Sequence, residues 1–168
     1  QVFNTEKKLI SNNKYKTGTY YRFFPIAGIS TESPFKFKKY LPNVTFNPKI
    51  NLVMTPGISN SSKLSNEDST NNDFTLENIY RLNRFSGNDK LDNSKRITYS
   101  INAYTENFKS SLSQSYEFTN NSNFHYSQGN EKKLSDLLGY FNLNKNSFKT
   151  GYDFRYDPHN QFIKSQKN

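Results

Sequence analysis

The chain has no cysteine, no tryptophan and a single methionine. Without cysteine there is no disulfide framework, no thiolate metal site and no cysteine nucleophile. Hydrophobic residues are scarce, at 32%, against roughly 45–50% in ordinary globular domains. No stretch approaches the ~20 apolar residues that a membrane helix requires. No basic-then-apolar signal region follows Gln1, and the chain stops in polar sequence at Gln166-Lys167-Asn168, so the expectation is a piece of something longer. Histidine is rare too. His125 and His159 stand apart from any acid or nucleophile pattern, and GNDK and SQGN are turn signals rather than phosphate-binding loops. No catalytic constellation and no cofactor site is expected.

What is abundant is aromatic. There are 12 Tyr and 15 Phe, which argues against wholesale disorder, since disordered chains are poor in aromatics. The net charge of +9 suits nucleic acid, anionic lipid or a phosphorylated glycolipid as partner. A coding bias toward Asn, Lys, Ile, Phe and Tyr is an equal explanation of it.

The apolar residues fall in alternation. In the stretch YLPNVTFNPKINLVM, residues 40–54, Val44, Phe46, Ile50 and Leu52 share one face while Asn43, Thr45, Asn47 and Lys49 share the other. Ile97, Tyr99 and Ile101 oppose Arg96, Thr98 and Ser100. Leu112 and Tyr116 oppose Lys109, Ser111, Ser113 and Glu117. Phe141 and Leu143 share a face, as do Tyr152 and Phe154 opposite Lys149, Asp153 and Arg155. Such period-2 patterning predicts strands near 18–30, 40–55, 95–105, 108–118, 136–144 and 148–157. Pro42 can start its strand, but Pro48 lies inside it and predicts a local break in pairing.

Short connections alternate with long ones, at about 56–94 and about 119–134. This is the rhythm of an up-and-down transmembrane barrel, with strands of about ten residues, short periplasmic turns and long outer loops. A soluble β-sandwich predicts shorter strands, of about 5–6 residues, and an apolar face packed on a second sheet. The expectation is therefore all-β: an antiparallel meander of about six strands, a partial segment of a large barrel spanning residues 1–168. Val44, Phe46, Ile50, Leu52, Ile97, Tyr99, Ile101, Leu112, Phe141, Leu143, Tyr152 and Phe154 would face lipid. Lys49, Arg96, Lys109, Lys149 and Arg155 would face a wet lumen, beside Glu117, Asp153 and Asp157. Aromatics and basic residues on opposite faces count against a nucleic-acid binder, which would stack and neutralise on one surface.

The long loop contains NEDSTNNDFTLENIYRLNRFSGNDK, residues 66–90. Glu67, Asp68 and Asp73 lack the glycine and terminal glutamate of a calcium loop. A turn with a short helix around TLENIYRLN, capped by Thr75, is the simpler expectation. Arg84 and Asp89 flank Gly87, a turn that would let them approach.

This segment also resembles the barrel region of the LptD family of outer-membrane proteins, which assemble lipopolysaccharide (LPS) and are also called organic solvent tolerance proteins. Asn66-Glu67-Asp68-Ser69 matches a family segment that is followed by an Asn-Leu-Phe-like step, here Asn78-Ile79-Tyr80. Asn83-Arg84-Phe85-Ser86-Gly87 comes next, then Asp89-Lys90 where Asp-Arg is usual. Asp92-Asn93 stands where Glu-Gly is typical, and Arg96 leads into a strand. QSYEF, residues 114–118, resembles a family strand end, and LSDLLGYFNLN with GYDFRYD resembles the hairpin after it. The resemblance implies a wide barrel of about 26 strands that moves LPS into the outer leaflet without covalent chemistry. It further implies a plug lipoprotein of the LptE kind and a periplasmic bridge protein as partners. Cations on the lumen face would then meet phosphates and core sugars. A passive, porin-like channel is the alternative with the same strand pattern.

Overall fold

In the strands the alternation is realised nearly residue for residue. The structure, a computed structural model, describes residues 2–11, 14–57, 69, 74–119, 132–145 and 148–167. Among these it forms nine strands and no helix: β1 (Val2–Ser11), β2 (Lys14–Tyr21), β3 (Ala27–Glu32), β4 (Thr45–Met54), β5 (Lys95–Tyr104), β6 (Phe108–Glu117), β7 (Leu137–Lys145), β8 (Phe148–Asp157) and β9 (Phe162–Lys167). β1 and β2 pair with each other. β3 to β9 form one seven-stranded antiparallel sheet in sequence order, an open meander.

The register defines two faces, because paired residues point to the same side of a sheet. One cross-strand line runs Pro48–Ile101–Leu112–Gly139–Phe154, and its neighbour runs Lys49–Ser100–Ser113–Leu138–Arg155. The burial of these lines is the reverse of a soluble sheet. Ile101 and Leu112 are exposed at 45% and 44%, whereas Ser100, Ser111, Ser113, Ser115, Thr98 and Arg96 are buried. None of the twelve residues expected to face outward is buried: Ile50, Leu52, Tyr99, Ile101, Leu112 and Phe141 are exposed, and Val44, Phe46, Ile97, Leu143, Tyr152 and Phe154 are half-buried among their neighbours. Gly139 belongs to this band. The ring of Phe154 lies over it and occupies the space a Cβ would need, so the outward surface stays continuous.

Some strand limits differ from expectation. The single strand expected over 18–30 is two pieces, the end of β2 and β3, separated by residues 22–26. Arg22, Phe23, Phe24, Pro25 and Ile26 break the alternation there, and Pro25 cannot donate to a ladder. β4 starts at Thr45, and Pro42 lies in a turn before it. Pro48 does interrupt pairing, but on one side. Its register with β5 is unbroken, whereas pairing with β3 ends at Glu32–Lys49 and resumes only as a bridge, Phe35–Phe46. The missing N–H therefore points toward β3. β1 and the first half of β2 lie outside the expected six strands, and so does β9, which brings the main sheet to seven.

Candidate functional site

The polar side of the sheet is buried because the long loop lies on it. Residues 74–94 cross the faces of β4 to β7. Phe74 and Ile79 form a small core with Leu138, flanked by Leu76 and Tyr80. The sheet meets this segment with small or polar groups. Asn51 Nδ2 donates to the Tyr80 carbonyl at 3.2 Å, and Thr98 Oγ1 donates to the Ile79 carbonyl at 3.4 Å. Tyr80 Oη lies 3.4 Å from Ser113 Oγ, and Lys49 Nζ sits 4.7 Å from the centroid of the Tyr80 ring. Ser100, Ser111, Ser113 and Ser115 are buried on the same face. The expected short helix is a run of turns instead. Ile79 N–H donates to the Thr75 carbonyl at 3.0 Å, and the cap is made in reverse, the Thr75 N–H donating to Asn78 Oδ1 at 3.0 Å.

The distal half of the loop is fastened by buried charge. Arg84 donates to both Asp92 oxygens, Nε at 2.5 Å and Nη2 at 3.2 Å, and Nη2 also donates to Glu117 Oε2 at 3.0 Å. Arg96 Nη1 donates to Asp92 Oδ2 at 3.0 Å and to Ser94 Oγ, while its Nη2 donates to the carbonyls of Arg81 and Leu82. Glu117 Oε1 accepts from the Lys95 N–H at 2.8 Å. Two cations and two anions thus neutralise each other with almost no exposure. Burial alone would lower the Arg84 pKa, but the charges and hydrogen bonds of Asp92 and Glu117 outweigh it and hold the pKa above its ordinary value. Such a cluster is tolerable only because every charge is both paired and hydrogen-bonded.

Each described residue of the sequence motif has a place here. Asn83 closes the turn: its Oδ1 accepts from the N–H groups of Asp92 at 3.0 Å and Phe85 at 3.3 Å, and its Nδ2 donates to the Lys90 carbonyl at 3.1 Å. Gly87 has φ +73°, a left-handed conformation that favours glycine. Phe85 is buried with Lys90 Nζ 5.8 Å from its ring centroid. Ser69 Oγ accepts from the Lys90 N–H at 2.9 Å. The Asp89 and Asn88 carbonyls accept from Arg22 at 2.5 Å each. Asn66, Glu67, Asp68 and Asp73 lie outside the described residues, as does His125.

Asp92 and Glu117 are among the partners of Arg84, and sequence reasoning did not single them out. One signal was available: Asp92 preserves a carboxylate where the family resemblance expects glutamate. Of the five basic residues on this face, Arg96 and Lys49 are engaged by the loop. Arg155 Nε lies 3.5 Å from Asp136, in a second charge cluster where Lys164 pairs with Asp136 at 3.0 Å and Asp157 at 2.9 Å. Lys109 and Lys149 stay exposed at the short-turn end, among Asn107, Tyr140, Asn142 and Asn144.

An exposed apolar face opposite a polar one is what a barrel wall requires. The sequence matches the family model for LptD, LPS transport system D, over residues 1–167. The chain belongs to the LptD family. In the comparison with individual curated proteins nothing matches. LptD proteins transport and assemble LPS in the outer membrane; they are transport barrels, not enzymes. The family match sets aside the porin-like alternative, which shares the strand pattern but not the loop motif.

Proposed function

We propose that this chain forms a wall segment of an LptD barrel, and that residues 74–94 of the long loop lie inside the lumen, where they shape the passage for LPS sugars. One observation carries this reading: the face buried beneath the loop is polar, and the opposite face is apolar and exposed. Asn83, Arg84, Phe85 and Gly87, with Asp92, Arg96 and Glu117, hold the loop against the wall. Lys109 and Lys149, left open near the short turns, are placed to meet phosphates entering from the periplasmic side. The plug lipoprotein and periplasmic bridge implied by the family resemblance complete the machine, with outer-membrane lipid around it.

The test uses the absence of cysteine from this chain. Leu52→Cys, Ile101→Cys and Leu112→Cys should be protected from a membrane-impermeant maleimide in intact outer membranes. Lys109→Cys and Lys149→Cys should react through the aqueous lumen. Equal labelling of both groups would remove the wall assignment.

A further inference from the structure

The β3–β4 connection, residues 33–44, departs from its neighbours. The other connections at that end of the sheet are brief, residues 105–107 and 146–147. This one folds into a hook: the Phe35 and Phe46 N–H groups donate to each other's carbonyls at 2.8 Å, and the Leu41 N–H donates to the Phe37 carbonyl at 2.8 Å. Phe46 pairs with Ala103 on the outward face. Phe35 and Phe37 pack on it, with centroids 5.8 and 5.4 Å away. Tyr40 and Leu41 are exposed at 75% and 46%. The apolar part of the hook therefore extends the outward band to the sheet's end.

Basic residues are interleaved with it. Lys38 and Lys39 are exposed at the tip, and Lys39 Nζ lies 5.5 Å from the Tyr40 ring centroid. Lys36 points the other way, into a cavity on the inward face lined also by Asn43, Thr45, Tyr104 and Glu106. No acidic residue occurs from Ser33 to Lys49. Aromatic rings at the edge of an apolar band with lysines just beyond them match the boundary between acyl chains and headgroups.

We infer that the hook is a binding site for anionic phospholipid headgroups: Phe35, Phe37, Tyr40 and Leu41 enter the acyl boundary, and Lys38 and Lys39 hold the headgroup phosphates. The inference rests on the wall reading in assigning short turns to the periplasmic side, so the leaflet met is the periplasmic one. Charge complementarity selects anionic over zwitterionic lipid, because each basic residue near an anionic surface strengthens attraction about fivefold.

The experiment uses the full-length barrel reconstituted in vesicles of phosphatidylcholine and phosphatidylglycerol, re-extracted gently, with retained lipid measured by mass spectrometry. The wild type should retain phosphatidylglycerol preferentially. Lys38→Gln with Lys39→Gln should reduce that preference on the order of twentyfold, while Lys36→Gln, on the inward side, should leave it unchanged. A photoreactive residue replacing Tyr40 should crosslink phospholipid in cells. No preference in the wild type, an unchanged ratio in the double variant, an equal fall for Lys36→Gln, or crosslinking to protein rather than phospholipid would each overturn the inference. None of these outcomes touches the wall reading, which stands or falls on the cysteine labelling.

Discussion

Arg84 and Asp92 form a two-bond ion pair, Nε to Oδ2 at 2.5 Å and Nη2 to Oδ1 at 3.2 Å, with both side chains buried. They are eight residues apart, on either side of the turn at Gly87. The pair closes that turn, and Glu117 and Arg96 then tie the closed turn to β6 and β5. A local contact is thereby converted into a contact between loop and wall.

Removing one member should free the loop rather than unfold the wall. Arg84→Ala leaves Asp92 and Glu117 short of a cation, and breaking a buried pair this way costs about 3–5 kcal/mol. Asp92→Ala should cost a similar amount, and Arg84→Ala with Asp92→Ala less than the sum of the two, since they share one interaction. Limited proteolysis of the loop in the assembled barrel reads this out. Surface LPS and permeability to large antibiotics read the functional consequence. Wild-type values for both in the double variant, at normal barrel levels, would show the loop to be dispensable packing.

Arg96 makes its contacts as a fork, one arm to Asp92 and Ser94 and the other to the carbonyls of Arg81 and Leu82. Arg96→Lys keeps the charge but not the fork. It should therefore loosen the loop almost as much as Arg96→Ala, as measured by hydrogen exchange at residues 79–84. Full protection in the lysine variant would mean that charge alone suffices.

Gly87→Val forces a β-branched residue into a left-handed backbone, at about 1–3 kcal/mol. Gly87→Asn should cost much less, because asparagine enters that region readily. Proteolytic release of the loop should follow the same order. Equal behaviour of the two variants would show that the turn conformation is not what closes the loop.

How much of this was legible in the sequence follows from the range of each interaction. Strands β5, β6, β7 and β8 lie within a residue of their expected limits, because alternation is a local property that the sheet simply realises. β9 escaped since Phe162 and Ile163 are adjacent instead of alternating: they pair with Asp157 and Tyr156 on opposite faces, and a register shift follows immediately, between Tyr156 and Arg155. The turn at Gly87 was visible for the same local reason. Glu117 as a partner of Arg84 was not, because thirty-three residues separate them and only the sheet register brings them together. Ser100, Ser111 and Ser113 announced a polar face but not that a loop would cover it; small hydroxyls serve a wet lumen and a docked loop equally well.

The loop core offers a further check. Ile79 is fully buried between Phe74 and Leu138, so Ile79→Ala should cost about 2–5 kcal/mol of docking. Tyr80→Phe should cost little, since its hydroxyl contact with Ser113 is long at 3.4 Å. Loop protection in hydrogen exchange distinguishes the two. If Ile79→Ala were silent, the loop would be held by the charge cluster alone.

The sharpest discrimination between barrel wall and soluble sheet lies in residues that are already exposed. Ile101 and Leu112 are paired neighbours near the middle of β5 and β6 on the apolar face, each a little under half exposed. On a soluble protein an exposed position tolerates arginine within about 0.5 kcal/mol. At the bilayer midplane the same change costs about 2–4 kcal/mol, falling to about 0–1 near the interfaces. Ile101→Arg and Leu112→Arg should therefore destabilise the membrane-inserted barrel strongly, and Phe148→Arg, at the very end of β8 and exposed at 61%, only slightly. Denaturant unfolding of the barrel from lipid vesicles measures all three. A flat response across the strand length would mean that this face does not meet lipid, and that some other apolar surface covers it.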